Sequence, residues 1–174
     1  SDFFTSKVIR RKGLRIAVMG IMDPYAIKFY PDEIKKRIRL SDPIESIKKE
    51  MKKLSSKADI FILLTHQGYD LDQDLAKKID GLDLIIGSHS QTKIESPKEV
   101  NDALIVQAGK SGYYVGVVEI KTNRGKVIEK TGRIDTMKFN MPDDPRIMKM
   151  IEEYELKTGR MNMRKKKLKG KSNE

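Results

Sequence analysis

The chain is organised around residues 58–92, which read ADIFILLTHQGYDLDQDLAKKIDGLDLIIGSHSQT. Ile60 to Leu64 and Leu82 to Ile86 are continuous apolar runs bounded by polar turn residues, the pattern of strands buried on both faces in a parallel α/β sheet. Between them Leu71, Leu75 and Ile79 fall four apart and give the intervening helix one apolar stripe. The stretch is therefore a strand-helix-strand unit. The sequence holds only two histidines, His66 and His89, and each lies just past the last apolar residue of its strand, at the carboxyl end where open α/β sheets place their ligands. Gly68 and Gly87 stand beside them and permit tight turns. If the strands are neighbours, the imidazoles meet. Two neutral imidazoles and the amide oxygen of Gln91 suit zinc, manganese or iron. Such a centre also requires carboxylates, and no Asp-x-His pair occurs in the 174 residues.

Upstream, Leu14 to Ile21 is a mostly apolar run expected as a buried strand, with Val8 and Ile9 as the edge of a preceding hairpin and Arg10-Arg11-Lys12-Gly13 as its turn. Met22 to Leu40 reads as a connector with one helical turn, or as a rim over a site. Asp42-Pro43-Ile44-Glu45 starts a helix, with Asp42 as N-cap, Pro43 at the first helical position and Glu45 closing a capping box. Ile44, Ile47, Met51, Leu54 and Ala58 form its stripe, and Lys48, Lys49, Lys52 and Lys53 a solvated face.

Downstream, Thr92 to Asp102 is expected as a short surface loop. Ala103 to Ala108 and Tyr114 to Ile120 are expected as two strands joined in a hairpin by Gly109-Lys110-Ser111-Gly112, with phosphate binding through backbone N–H groups and Lys110 as the turn's functional alternative. Asn123-Arg124-Gly125 is a further hairpin turn into an alternating strand over Lys126 to Lys130. Three parts follow: a domain over 1–138, a terminal helix over 139–156 and a basic tail over 157–174.

Composition bounds the rest. A length of 174 residues with 38% hydrophobic content suits one core. Zero Cys removes disulfides and thiolate ligands and leaves nitrogen and oxygen donors for any metal. The net charge is +11; residues 157–174 hold eight Lys or Arg and one acid, 8 − 1 = 7 of that charge. The tail is read as a disordered, solubilising terminus, with electrostatic contact to an acidic partner, a membrane surface or nucleic acid as its functional alternative.

Leu64-Thr65-His66-Gln67-Gly68, then Asp74-Leu75-Ala76, then Gly81 through Thr92, resemble the second half of a calcineurin-like metallophosphoesterase domain of the 5'-nucleotidase type. That family has a strand into (S/T)-H-x-G, a helix with D-x-x-L-A and a strand into G-G-H-(S/T)-(Q/H). Val106 to Gly116 resemble its following strand-turn-strand, and Ser88 stands where the family usually has glycine. The resemblance implies the second half of a β-sandwich flanked by helices, a parallel strand-helix-strand unit followed by antiparallel hairpins. It also implies two divalent metal ions, Zn, Mn or Fe, with His66 and His89 on one and Gln91 on the other, and a phosphate ester or nucleotide substrate.

The family's first half carries an Asp-x-His, a bridging Asp and an Asn-His pair, none of which is in this sequence. The chain begins at Ser1 and is therefore read as the carboxyl-terminal portion of a longer polypeptide, inactive alone and completed by an amino-terminal half. The family also favours a periplasmic or extracytoplasmic location. The rival expectations are a non-catalytic metallophosphoesterase-like subunit or scaffold in a larger complex, and a phosphate or nucleotide binder without chemistry.

Overall fold

A computed structural model describes residues 6–138 and 140–159. It opens with a hairpin of β1 (Ser6–Arg11) and β2 (Leu14–Met22), turned by Lys12 and Gly13, both at positive φ. A short 3-10 turn, Pro24–Phe29, and a four-residue helix α1, Asp32–Lys35, make up the connector. Helix α2 (Pro43–Leu54) begins as expected: the Asp42 carboxylate accepts from the Glu45 N–H at 2.9 Å, with Pro43 in the first turn. There follow β3 (Ile60–His66), α3 (Tyr69–Ala76), β4 (Leu84–Ile86), β5 (Lys98–Val100), β6 (Ala103–Val106), β7 (Tyr114–Asn123), β8 (Lys126–Thr136) and α4 (Pro145–Thr158). No helix among the described residues is long and apolar enough to cross a membrane.

Six strands form one sheet in the order β1-β2-β3-β4-β6-β5, with β2, β3, β4 and β6 parallel and β1 and β5 antiparallel at its edges. Strands β7 and β8 form a second, antiparallel sheet. The core of the first sheet is Met19, Leu63, Ile85 and Ile105 from the strands, Ile47 from α2, and Leu75, Ala76 and Ile79 from α3 and the turn after it. The chain divides at residues 137 and 138, and α4 belongs to the second unit, where Asp144 caps it through the Arg146 N–H at 2.8 Å and Gly159 closes it at φ +70°. Residues 160–174, most of the basic tail, lie outside the described residues.

Three expectations are corrected. Residues 109–112 do not make a hairpin: β6 and β7 lie in different sheets, and the positive φ values of Gly109, Ser111 and Gly112 turn the chain from one layer to the other. Residues 92–102 are more than a surface loop. Ile94 is buried in the core, Lys93 bridges Ala108, and β5 pairs with β6 across the left-handed pair Asn101 and Asp102. The stripe of α3 is also misplaced by one residue. Leu71 is 47% exposed, and the buried series is Asp72, Leu75, Ala76 and Ile79, which fall at i, i+3, i+4 and i+7.

Candidate metal centre

The parallel pairing of β3 with β4, with Leu64 opposite Ile86, brings the two strand ends level. Past β3 the chain must leave the sheet and enter α3 at once. Gly68, at φ 98° and ψ 158°, makes that break in a region other residues avoid. Past β4, Gly87 donates to the Val106 carbonyl at 2.8 Å, and His89 and Gln91 both adopt positive φ, 82° and 56°. Ser88 is absent from the positive-φ residues, so a serine in place of glycine costs nothing in backbone strain.

The two turns are tied directly to each other. The Gly68 N–H donates to the Ser88 carbonyl at 3.0 Å. The Ser90 hydroxyl accepts from the Tyr69 N–H at 3.2 Å and lies 2.9 Å from the Thr92 hydroxyl. With the Gln107 amide oriented by its hydrogen bonds, its oxygen accepts from the Gln91 and Thr92 N–H groups at 3.0 and 3.2 Å and its nitrogen donates to Ser90 Oγ at 3.1 Å. Left-handed residues in a turn this tight persist only where neighbours over-determine them, and these bonds do so.

The consequence is that His66 Nε2 and His89 Nδ1 lie 3.3 Å apart, with ring centroids 5.0 Å apart at 72°. Two nitrogens each about 2.1 Å from one cation, the usual zinc to imidazole distance, and 3.3 Å from each other would subtend about 104° at it. The pair thus fits two positions of a tetrahedral or octahedral ion. Gln91 is exposed beyond His89, and its side chain makes no hydrogen bond among the described residues. Among the described residues no three His, Cys, Asp or Glu side chains converge. An open depression of about 370 Å³ lined by Gly20, Ile21, Met22, Leu64 and Thr65 reaches His66. A cleft of about 420 Å³ between β2 and α2 includes neither of them.

Asp72 is the residue that sequence reasoning missed. Thr65, Gln67, Asp72 and Gln107 are the buried polar side chains among the described residues, and all stand behind the histidine turns. Asp72 is 0% exposed and accepts from Gln67 Nε2 at 3.0 Å, while its second oxygen, Oδ2, and Thr65 Oγ1 are sealed without a hydrogen bond of good geometry. Burial pushes its carboxyl above the ordinary carboxylate value, against the pull of Thr65 and Gln67. A D-x-x-L-A spacing counted back from Leu75-Ala76 lands on Asp72. Asp74, quoted for that motif above, is a surface residue paired with Lys77 at 2.8 Å.

No family model matches the chain. It is 34% identical over 129 residues to the uncharacterized metallophosphoesterase YunD of Bacillus subtilis, covering 73% of this chain and 27% of that protein. It is 30% identical over 135 residues to the trifunctional nucleotide phosphoesterase YfkN of the same organism, covering 74% of this chain and 9% of that protein. Its fold matches a Thermus thermophilus 5'-nucleotidase precursor with TM-score 0.71 and 24% identity, over 88% of this chain and 34% of that one. The similarities are thus to proteins named metallophosphoesterase and 5'-nucleotidase.

The chain spans only part of these proteins, 27%, 9% and 34% of their respective lengths. The same architecture matches a SoxB sulfate thiohydrolase from Thermus thermophilus at TM-score 0.70 and 24% identity, over 77% of this chain and 25% of that one.

Proposed function

We propose that the chain contributes part of the centre of a metal-dependent phosphoester hydrolase, of the 5'-nucleotidase or cyclic nucleotide phosphodiesterase kind. In this reading His66 and His89 hold one divalent ion, Zn, Mn or Fe, and Gln91 a second, while an amino-terminal half of the same domain brings the carboxylates. The observation that carries it is the pair of imidazole nitrogens 3.3 Å apart at adjacent strand ends. The names of the relatives, metallophosphoesterase, nucleotide phosphoesterase and 5'-nucleotidase, support the substrate class. A metal pair, when bound, supplies Lewis acidity and activates water as a nucleophile at neutral pH.

The chain's own residues do the rest. The imidazoles bind as neutral nitrogen ligands, and Ser90 and Gln107 fix the turn that presents His89 and Gln91. A neutral Gln ligand leaves more positive charge at its ion than a carboxylate would, which favours a phosphate dianion. A periplasmic or extracytoplasmic location accords with this reading.

The test is metal content and hydrolysis of a nucleoside 5'-monophosphate, p-nitrophenyl phosphate and bis-p-nitrophenyl phosphate by the chain joined to its amino-terminal half. His66→Ala and His89→Ala should each cut the rate by more than the roughly 10–100-fold that loss of an outer-shell partner costs, with metal lost in parallel. The 174-residue chain alone should be inactive. Full hydrolysis by either variant overturns the proposal. The lack of three converging metal-ligating groups among the described residues favours, as a second reading, a non-catalytic scaffold; a joined protein that takes up no metal would establish it.

A further inference from the structure

Burying an acid is costly unless it is paired, and among the described residues Asp72 is the one fully buried acid. The buried polar side chains among the described residues all back the two histidine turns. Asp72 lies between those turns. One of its oxygens holds Gln67, the residue after His66. The other packs so closely on Gly87, two residues before His89, that a Cβ there would stand 2.3 Å from it. Gly87 has no positive φ, so the need for glycine at this position is the acid itself and not the backbone.

We propose that Asp72 is a positioning residue: its carboxylate is the spacer, set between Gln67 and Gly87, that fixes the separation and mutual angle of the His66 and His89 rings. No hydrogen bond joins it to either ring among the described residues. Its link to metal chemistry rests on the proposed reading of the histidines as ligands; its link to their geometry does not. A buried residue kept only for stability would be better apolar, as Leu75, Ala76 and Ile79 are on the same stripe. An acid is justified where it must accept from Gln67 while filling the space against a side-chain-free residue.

With only two histidines in the chain, imidazole NMR of the metal-free 174-residue protein reads the arrangement without ambiguity. The wild type should show a through-space contact between the rings. Asp72→Ala should lose it while retaining the fold, and Asp72→Asn, which keeps the shape and an acceptor for Gln67, should preserve it. Gly87→Ala should lose the contact too, because the new methyl displaces the carboxylate. Asp72→Ala combined with Gly87→Ala should recover it in part, since that methyl then fills the vacated space. Ile47→Ala, a core truncation of comparable or greater cost on α2, should leave the contact intact; this separates positioning from general destabilisation.

In a Zn²⁺ titration followed on the same resonances, Asp72→Ala should bind at least about 10-fold more weakly than wild type. Persistence of the ring contact in Gly87→Ala overturns the proposal whether or not Asp72→Ala folds. Wild-type rings that are in contact yet ignore Zn²⁺ would instead remove the metal reading and leave the spacer standing.

Discussion

Single residues in this chain act through what they exclude as much as through what they bind. Gly68 and Gly87 illustrate two different uses of a missing side chain: the first takes a backbone conformation closed to others, the second clears room for a carboxylate. Far from the histidines, Asp59 makes the best-defined ion pair. Arg15 Nη2 lies 2.6 Å from its Oδ1, and the Arg15 backbone N–H donates to its Oδ2 at 2.8 Å. Bonding to the Arg15 side chain, then to its backbone, holds the Asp59 carboxyl down at about 2. A group whose folded value is depressed favours the folded state above its unfolded value and loses that contribution as pH falls through the folded one. Urea melts should therefore show stability declining from about pH 4, the ordinary value for Asp, down to about pH 2. Asp59→Asn should flatten that part of the profile; an unchanged slope would mean the pair is not kept in solution.

The elements follow rules of spacing that a polar residue can obey as well as an apolar one. The sequence reading gives helix α3 one stripe, and the structure gives it another. Leu71, Leu75 and Ile79 were the obvious choice by hydropathy, yet the sheet receives Asp72, Leu75, Ala76 and Ile79, and Leu71 faces out. The α-helical rotation allows either, and the helix start at Gly68 together with the Gln67 bond to Asp72 selects the second. Truncation measurements separate the two cleanly. Leu71→Gln should change unfolding free energy by no more than about 0.5 kcal/mol, whereas Leu75→Ala should cost about 2–5 kcal/mol, both read from urea melts. A Leu71→Gln loss in the second range would put the stripe back where the hydropathy suggested.

At the scale of the whole sheet, coverage is uneven. One face of the parallel strands packs on α2 and α3, whereas on the other Leu64 and Ile86, side by side in the ladder, are 43% and 39% exposed. Their strands had read as buried on both faces, and β7 and β8 are only two strands against six. An apolar row beside His66 is the seat expected for the amino-terminal half that the proposed function requires. Leu64→Lys with Ile86→Lys should leave the melting of the 174-residue chain within about 1 kcal/mol of wild type, because long stems can lie along the sheet with their charges in water. The same pair should abolish co-purification of the chain with the separately expressed amino-terminal half. Undiminished co-purification would place that half elsewhere.

The sequence by itself determined the strand-helix-strand unit, the cap of α2, the hairpin of β1 and β2, and the two histidines at strand ends, because each is set by short-range periodicity or by a turn residue whose backbone preference is local. Only the tertiary structure decided the rest: that β7 leaves the first sheet, that β5 pairs inside an apparent loop, and that Asp72 rather than Leu71 enters the core. Each of these depends on which surfaces meet across long stretches of chain, and an acid at the inward position of a helix carries no local mark of burial until Gly87 is found against it.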